Sequence, residues 1–169
     1  MEEFRSILKL SPTNEGVRTN LADVLFAEKR YDEAAAEYRT VMADRPDNPT
    51  LEIKLGADLM AGGRLQEAVD HFERALRLDP RSAAAHRDVA EAYLRQDNAE
   101  RGAFHAREAV ALEPDNPAAH NLLGVALGST GRLDEAIDQF RLALRLSPDD
   151  RQTSENLDKA LRIAKARAR

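Results

Sequence analysis

Five prolines divide the chain into equal lengths: Pro12, Pro46, Pro80, Pro114 and Pro148 stand 34 residues apart. Each closes a run with apolar residues at helical spacing, which a proline ends because it has no N–H to donate and its ring collides with the preceding turn. Two residues after each comes a side chain suited to opening the next helix: Asn14, Asn48, Ser82, Asn116 and Asp150. Their oxygens can accept from the amides that a helix start leaves unpaired. The two other prolines, Pro49 and Pro117, follow an asparagine cap at the first helical position, where proline is tolerated. All seven prolines therefore obey one period.

The apolar residues keep the same register. In the first half of each unit Leu21, Leu55, Val89 and Leu123 recur, followed by the small Ala22, Gly56, Ala90 and Gly124, then by Leu25, Leu59, Tyr93 and Leu127. In the second half the series are Ala34, Ala68, Gly102 and Ala136, then Tyr38, Phe72, Ala106 and Phe140, then Val41, Ala75, Ala109 and Ala143. The two halves of 116–148 are separated by a glycine-containing break at Ser129 to Arg132, which predicts two short helices joined by a tight turn. Small residues let the two backbones approach, and large ones fill the space around them. One such pair cannot bury its apolar faces on both sides, so the unit requires stacked neighbours.

The register resembles the tetratricopeptide repeat, in which Leu-Gly, a large residue three further on, Ala, Phe, Ala and a closing Pro fill set slots. Leu123, Gly124, Leu127, Ala136, Phe140, Ala143 and Pro148 fill them in one unit; Leu55, Gly56, Leu59, Ala68, Phe72, Ala75 and Pro80 fill them in another. The aromatic residue that often stands early in the first helix is replaced by Arg18, Glu52, His86 and His120. The resemblance implies an all-α fold, an α-solenoid of antiparallel helix pairs forming a right-handed superhelix. Its expected divisions are a half repeat at 1–13, repeats at 14–47, 48–81, 82–115 and 116–149, and a capping helix with a basic tail at 150–169. Residues 2–11 match only a second helix, with Phe4 and Ile7 in the slots of Phe140 and Ala143. That fits either a chain cut from a longer one or one that begins with a half unit. The last segment carries Leu157 and Leu161 but places Asp158 in the small-residue slot, so it reads as a solvated end.

Composition narrows the chemistry. Aromatic residues make up 5% and there is no Trp, so the interior must be built from aliphatic side chains. A net charge of −5, with acids matching the arginines along most of the chain, gives no reason to expect nucleic-acid binding. With no cysteine there is neither a disulfide nor a thiolate site. No apolar run is long enough for membrane insertion, so a soluble chain is expected, cytoplasmic or periplasmic. The histidines fall in two pairs one period apart, His71 with His105 and His86 with His120, and no cluster of ligand type accompanies them. Neither a catalytic residue, a metal site nor a cofactor is expected, because no phosphate loop, zinc motif, paired carboxylates or nucleophile stands in the sequence. The basic residues Lys159, Arg162, Lys165, Arg167 and Arg169 read as cations complementing the end of the last helix.

What remains is the surface outside the core slots. Helical geometry puts the residues two before, two after and five after each leading Leu or Val on one flank, away from the second helix. That flank holds Thr19, Asp23 and Phe26; Ile53, Ala57 and Met60; Arg87, Glu91 and Leu94; and Asn121, Val125 and Gly128, with Arg95 nearby. The resemblance implies that it lines a concave groove binding a peptide or a partner helix. On that basis Asp23, Phe26, Ile53, Met60, Arg87, Glu91, Leu94, Arg95, Asn121 and Val125 are the expected partner-binding residues. Apolar anchors with a few fixed charges suit a segment of another protein. The carboxylate-gripping Lys and Asn pattern of the family is missing, since Thr19, Asp23 and Lys54 do not supply it. Phe104, two residues from the aromatic slot now held by Ala106, points nearly opposite to it. It either folds over a helix thinned at Gly102 or makes an outer contact. Self-association would use Phe104 or the N-terminal helix. A non-enzymatic interaction scaffold is thus the leading expectation; the alternative is the recruiting or regulatory part of a larger enzyme.

Overall fold

A computed structural model describes residues 2–167; Met1, Ala168 and Arg169, the last of the tail cations, lie outside the described residues. Among the described residues every regular element is an α-helix. The chain divides into two compact units, residues 1–80 and 81–169. The first holds α1 (Glu2–Leu10), α2 (Glu15–Ala27), α3 (Tyr31–Asp44), α4 (Pro49–Ala61) and α5 (Leu65–Leu78). The second holds α6 (Ala83–Arg95), α7 (Ala99–Leu112), α8 (Pro117–Ser129), α9 (Leu133–Leu146) and α10 (Arg151–Arg167).

The helix starts are where the Pro-x-cap pattern puts them. Asn48 accepts from the amides of Thr50 and Leu51, Asn116 from those of Ala118 and Ala119, Asn14 from Val17, Ser82 from Ala85 and Asp150 from Thr153. Each such cap contributes about 1 kcal/mol. Of the second helices, α7 is capped by Asn98, which accepts from the Arg101 amide, while α3, α5 and α9 use another device. Arg30, Arg64 and Arg132 stand at the N-cap without capping through their side chains, and instead fork onto Glu33, Glu67 and Glu135 three residues on.

The turns between paired helices also repeat. Lys29, Gly63, Asp97 and Gly131, one period apart, all have positive φ, from 58° to 82°. The amide after each reaches back to a carbonyl five residues earlier: Arg30 to Leu25, Arg64 to Leu59, Asn98 to Tyr93 and Arg132 to Leu127, at 2.8–2.9 Å. This left-handed closure suits glycine, and the other two sites hold a lysine and an aspartate in it.

Within the first unit, Leu21, Leu25, Ala34, Tyr38, Leu55, Leu59 and Phe72 are buried; within the second, Val89, Ala90, Ala106, Leu123, Leu127 and Phe140 are. The small slots are tight. A Cβ on Gly56 would stand 2.5 Å from the Phe72 ring, and one on Gly124 would stand 2.5 Å from Phe140. In these two pairs the aromatic ring of the second helix lies directly on the glycine backbone of the first, which explains why glycine and phenylalanine recur together there. Gly102 serves a variant of this contact: it lies under Leu94, whose Cγ would be 3.0 Å from an added Cβ.

The slot that lacks the usual aromatic is filled by polar pairs 19 residues apart, each crossing between the helices of one pair. Arg18 meets Glu37; Glu52 meets His71 at 2.6 Å; His86 and His105 place their Nδ1 atoms 3.1 Å apart; and His120 Nδ1 lies 2.8 Å from the Gln139 amide. Arg18 and His120 also donate, at 2.8 Å, to the carbonyls of Pro12 and Pro114, the prolines that close the preceding units. Apart from Glu52 Oε1, which has no hydrogen-bond partner and lies 3.2 Å from Arg74 Nε, these buried or half-buried groups are hydrogen-bonded, as polar groups taken from water generally are.

Candidate functional site

In the second unit α6 and α8 lie side by side, with α10 following, and the flank residues of these helices open onto a groove of about 510 Å³. Arg87, Glu91, Leu94, Arg95, Asn121 and Val125 all line it. It also gathers Asp88, Ala118, Leu122 and Gln152, which the sequence reading did not select. Asp88 and Leu122 occupy the slot just before the leading apolar residue, about 60° beyond the arc of those three slots; a face of about 120° would have taken them in. Leu94, Leu122 and Val125 give the groove an apolar floor, and Val125 and Leu122 continue into the core around Leu123 and Phe140.

Charges frame that floor. Arg87 pairs with Glu113 at 2.9 Å. Burial pushes the Asp88 carboxyl up, Arg87 pulls it down and the Glu91 charge adds to the rise, leaving it at about 6. On α10, Asn156 Nδ2 donates to Asn121 Oδ1 at 3.0 Å, and Arg167 donates to the Gly131 carbonyl at 3.3 Å, so the last helix is tied to α8 and to the turn that follows α8.

The first unit arranges its flank differently. Ile53 and Met60 are half-buried, while Phe26 is 40% exposed and meets the Tyr31 ring edge-on at 5.5 Å. Beside them Asp23 takes the Lys54 ammonium on both carboxylate oxygens, at 2.8 and 2.9 Å, and accepts the Tyr38 hydroxyl. Partial burial works to raise the Asp23 carboxyl, but Lys54 and Tyr38 together outweigh it and hold the group below its ordinary value. Under this cluster lies Asp58, only 3% exposed, with Oδ2 lacking any hydrogen-bond partner. Burial, reinforced by the Asp23 charge and opposed by Lys54, raises its carboxyl to about 7. The register offered a signal for Asp58: its slot is otherwise held by Val24, Ala92, Ala126 and Ala160. The sequence reading followed the larger core residues and passed over it.

Phe104 is 56% exposed and stands edge-on to His105 at 5.0 Å. Each of the four histidines joins the polar pair within its own two helices, which brings His86 to His105. Among the described residues no group of three or more His, Cys, Asp or Glu is placed to hold a metal ion, and no helix is long and apolar enough to cross a membrane.

Three family models match in succession: tetratricopeptide repeat over residues 1–53, TPR repeat over 56–97, and tetratricopeptide repeat over 94–151. No curated protein sequence matches the chain. Solved structures do. A crystal structure of MamA is 19% identical, with a TM-score of 0.79 over 88% of this chain and 87% of that one. A thermophilic TPR protein of Thermus thermophilus is 25% identical, with a TM-score of 0.75 over 94% and 87%. YrrB, described as a TPR protein with an unusual peptide-binding site, is 20% identical, with a TM-score of 0.75 over 96% and 84%. The first TPR of Spaghetti (RPAP3), solved with an HSP90 peptide, is 22% identical, with a TM-score of 0.68 over 69% and 93%. The fold shared with these structures is the α-solenoid of helix pairs.

Proposed function

The chain belongs to the tetratricopeptide repeat family, and from that premise we propose that it is a non-enzymatic scaffold whose second unit holds a peptide or helical segment of a protein partner in the groove between α6 and α8. The observation that carries this reading is the convergence of six flank residues on one open groove, with apolar side chains in its floor and both signs of charge at its edges. Leu94, Leu122 and Val125 supply contact area for an apolar anchor. Asp88, Glu91, Arg87 and Arg95 fix the direction and register of the bound chain, since charges at the rim discriminate between partners more than they add affinity. The peptide-binding sites described for YrrB and for the Spaghetti repeat belong to chains of the same fold and support the assignment.

The test uses the exchange Val125→Glu in the floor of the groove. Its slot already holds Asp23 and Glu91 elsewhere in the chain. The variant is therefore expected to keep its helical circular dichroism. Peptides selected from a displayed library on the full chain should lose at least about tenfold in affinity on the variant, the equivalent of about 1.4 kcal/mol. Undiminished binding by the folded variant would remove the groove from the account.

A further inference from the structure

Asp58 is unexplained by packing. In α6, α8 and α10 the same slot holds Ala92, Ala126 and Ala160, all buried, and an alanine at 58 would satisfy the same helix contacts. Instead the slot holds a carboxyl group that is almost wholly removed from solvent and has one oxygen without a partner. Buried polar atoms are normally paired, and an orphan in a native fold marks strain, a missing ligand or a functional role.

The charges around it do not balance. Asp23 on α2, Lys54 on α4 and the Tyr38 hydroxyl on α3 are the titratable neighbours that act on it. Lys54 is committed to both oxygens of Asp23, and the Tyr38 hydroxyl donates to Asp23 as well. Two carboxyl groups thus share one ammonium, and the protein meets the deficit by holding a proton on Asp58 up to near neutrality. The cluster is open on one side: the Asp23 side chain is 50% exposed and that of Lys54 35%.

We propose that Asp23 and Asp58 form, within the first unit, a recognition site for a basic side chain of a protein partner, with the guanidinium of an arginine as the group that fits best. A guanidinium presents five N–H donors in a plane and can bridge two carboxylates, whereas the Lys54 ammonium already spends two donors on Asp23. The arriving cation displaces Lys54 toward solvent, satisfies Asp58 Oδ2 and allows Asp58 to ionise. This inference rests on the reading of the chain as a peptide-binding scaffold and adds the chemistry that its first unit selects.

The probe is a short capped peptide with one arginine between leucines, set against the same peptide with citrulline, which keeps the shape and loses the charge. Both are titrated into the full chain near pH 8 at low salt, with the Asp58 side-chain carbon followed by NMR. The arginine peptide should bind about tenfold tighter than its neutral counterpart, and its binding should lower the Asp58 titration midpoint by about one pH unit. In Asp58→Asn, and in Asp58→Ala, which installs the residue of the equivalent slots, the preference should fall to within about twofold. Equal binding of the two peptides, no saturation by about 5 mM, or a preference that survives both substitutions would each overturn the site. Library-selected peptides separate this from the groove. Sensitivity to Val125→Glu with indifference to Asp58→Ala would refute the cation site and leave the groove standing.

Discussion

Replacing Asp58 by alanine should stabilise the protein at neutral and alkaline pH and remove a slope from its stability curve. The carboxyl titrates at about 7 in the folded chain against an ordinary value of 3.8, so between those limits the native state binds a proton that the unfolded state has released. Stability from this group is therefore complete below about pH 4, falls as the pH rises and is lost above about pH 7. Three units at 1.36 kcal/mol each make the loss about 4 kcal/mol. Local relaxation and residual screening around the group reduce that figure, so about 2–4 kcal/mol is expected. Alanine abolishes the slope and leaves no orphaned oxygen. Urea unfolding followed by circular dichroism at a series of pH values should show wild type and Asp58→Ala close together near pH 4 and separated by about 2–4 kcal/mol near pH 8, the variant being the more stable. Amide exchange in α2 to α4 should slow in the variant at the higher pH, which localises the effect to the first unit. Parallel stability curves across that range, or a variant weaker than wild type near pH 8, would refute the assignment of an uncompensated buried acid.

Other consequences are independent of that site. Gly124→Ala brings a Cβ to 2.5 Å from the Phe140 ring and should cost about 1–3 kcal/mol in urea unfolding, partly recovered when Phe140→Leu is added. Lys29→Gly and Asp97→Gly place glycine where φ is 62° and 58°; each should raise stability by about 1 kcal/mol, measured as a higher urea midpoint with an unchanged slope. Asn116→Ala removes the oxygen that accepts from two amides at the start of α8 and should lower stability by about 1 kcal/mol, with the earliest amide exchange at Ala118 and Ala119. Asp88→Asn should remove a second, smaller loss of stability confined to about pH 4–6, since burial raises that carboxyl to about 6.

Much of this molecule could be read from spacing. The Asn or Ser two residues after a closing proline marked helix starts, and the recurring small residues pointed to the close helix approach that the structure shows as Phe72 on Gly56 and Phe140 on Gly124. Arg87, Glu91, Leu94, Arg95, Asn121 and Val125, on or beside the arc chosen on the first helices, line one groove in the second unit. Asp88 and Leu122 escaped because that arc was narrow. The polar pairs escaped for another reason: residues 19 apart are neither at helical spacing nor at the repeat period, and they meet only after the turn folds one helix back along the other. Lys29 and Asp97 gave no hint of positive φ as residues, but stand in the slot of Gly63 and Gly131.

By itself the sequence determined the period, the helix pairs and the direction in which each side chain leaves its helix, because these depend on local sterics, caps and apolar spacing within one or two turns. Only the tertiary structure decided which polar groups are satisfied: that Arg18 finds Glu37, that His86 finds His105, and that Asp58 lies beneath Asp23 and Lys54 with an oxygen left over. Those outcomes depend on the distance between helices and on the exclusion of water between them, and neither quantity exists until the helices are packed.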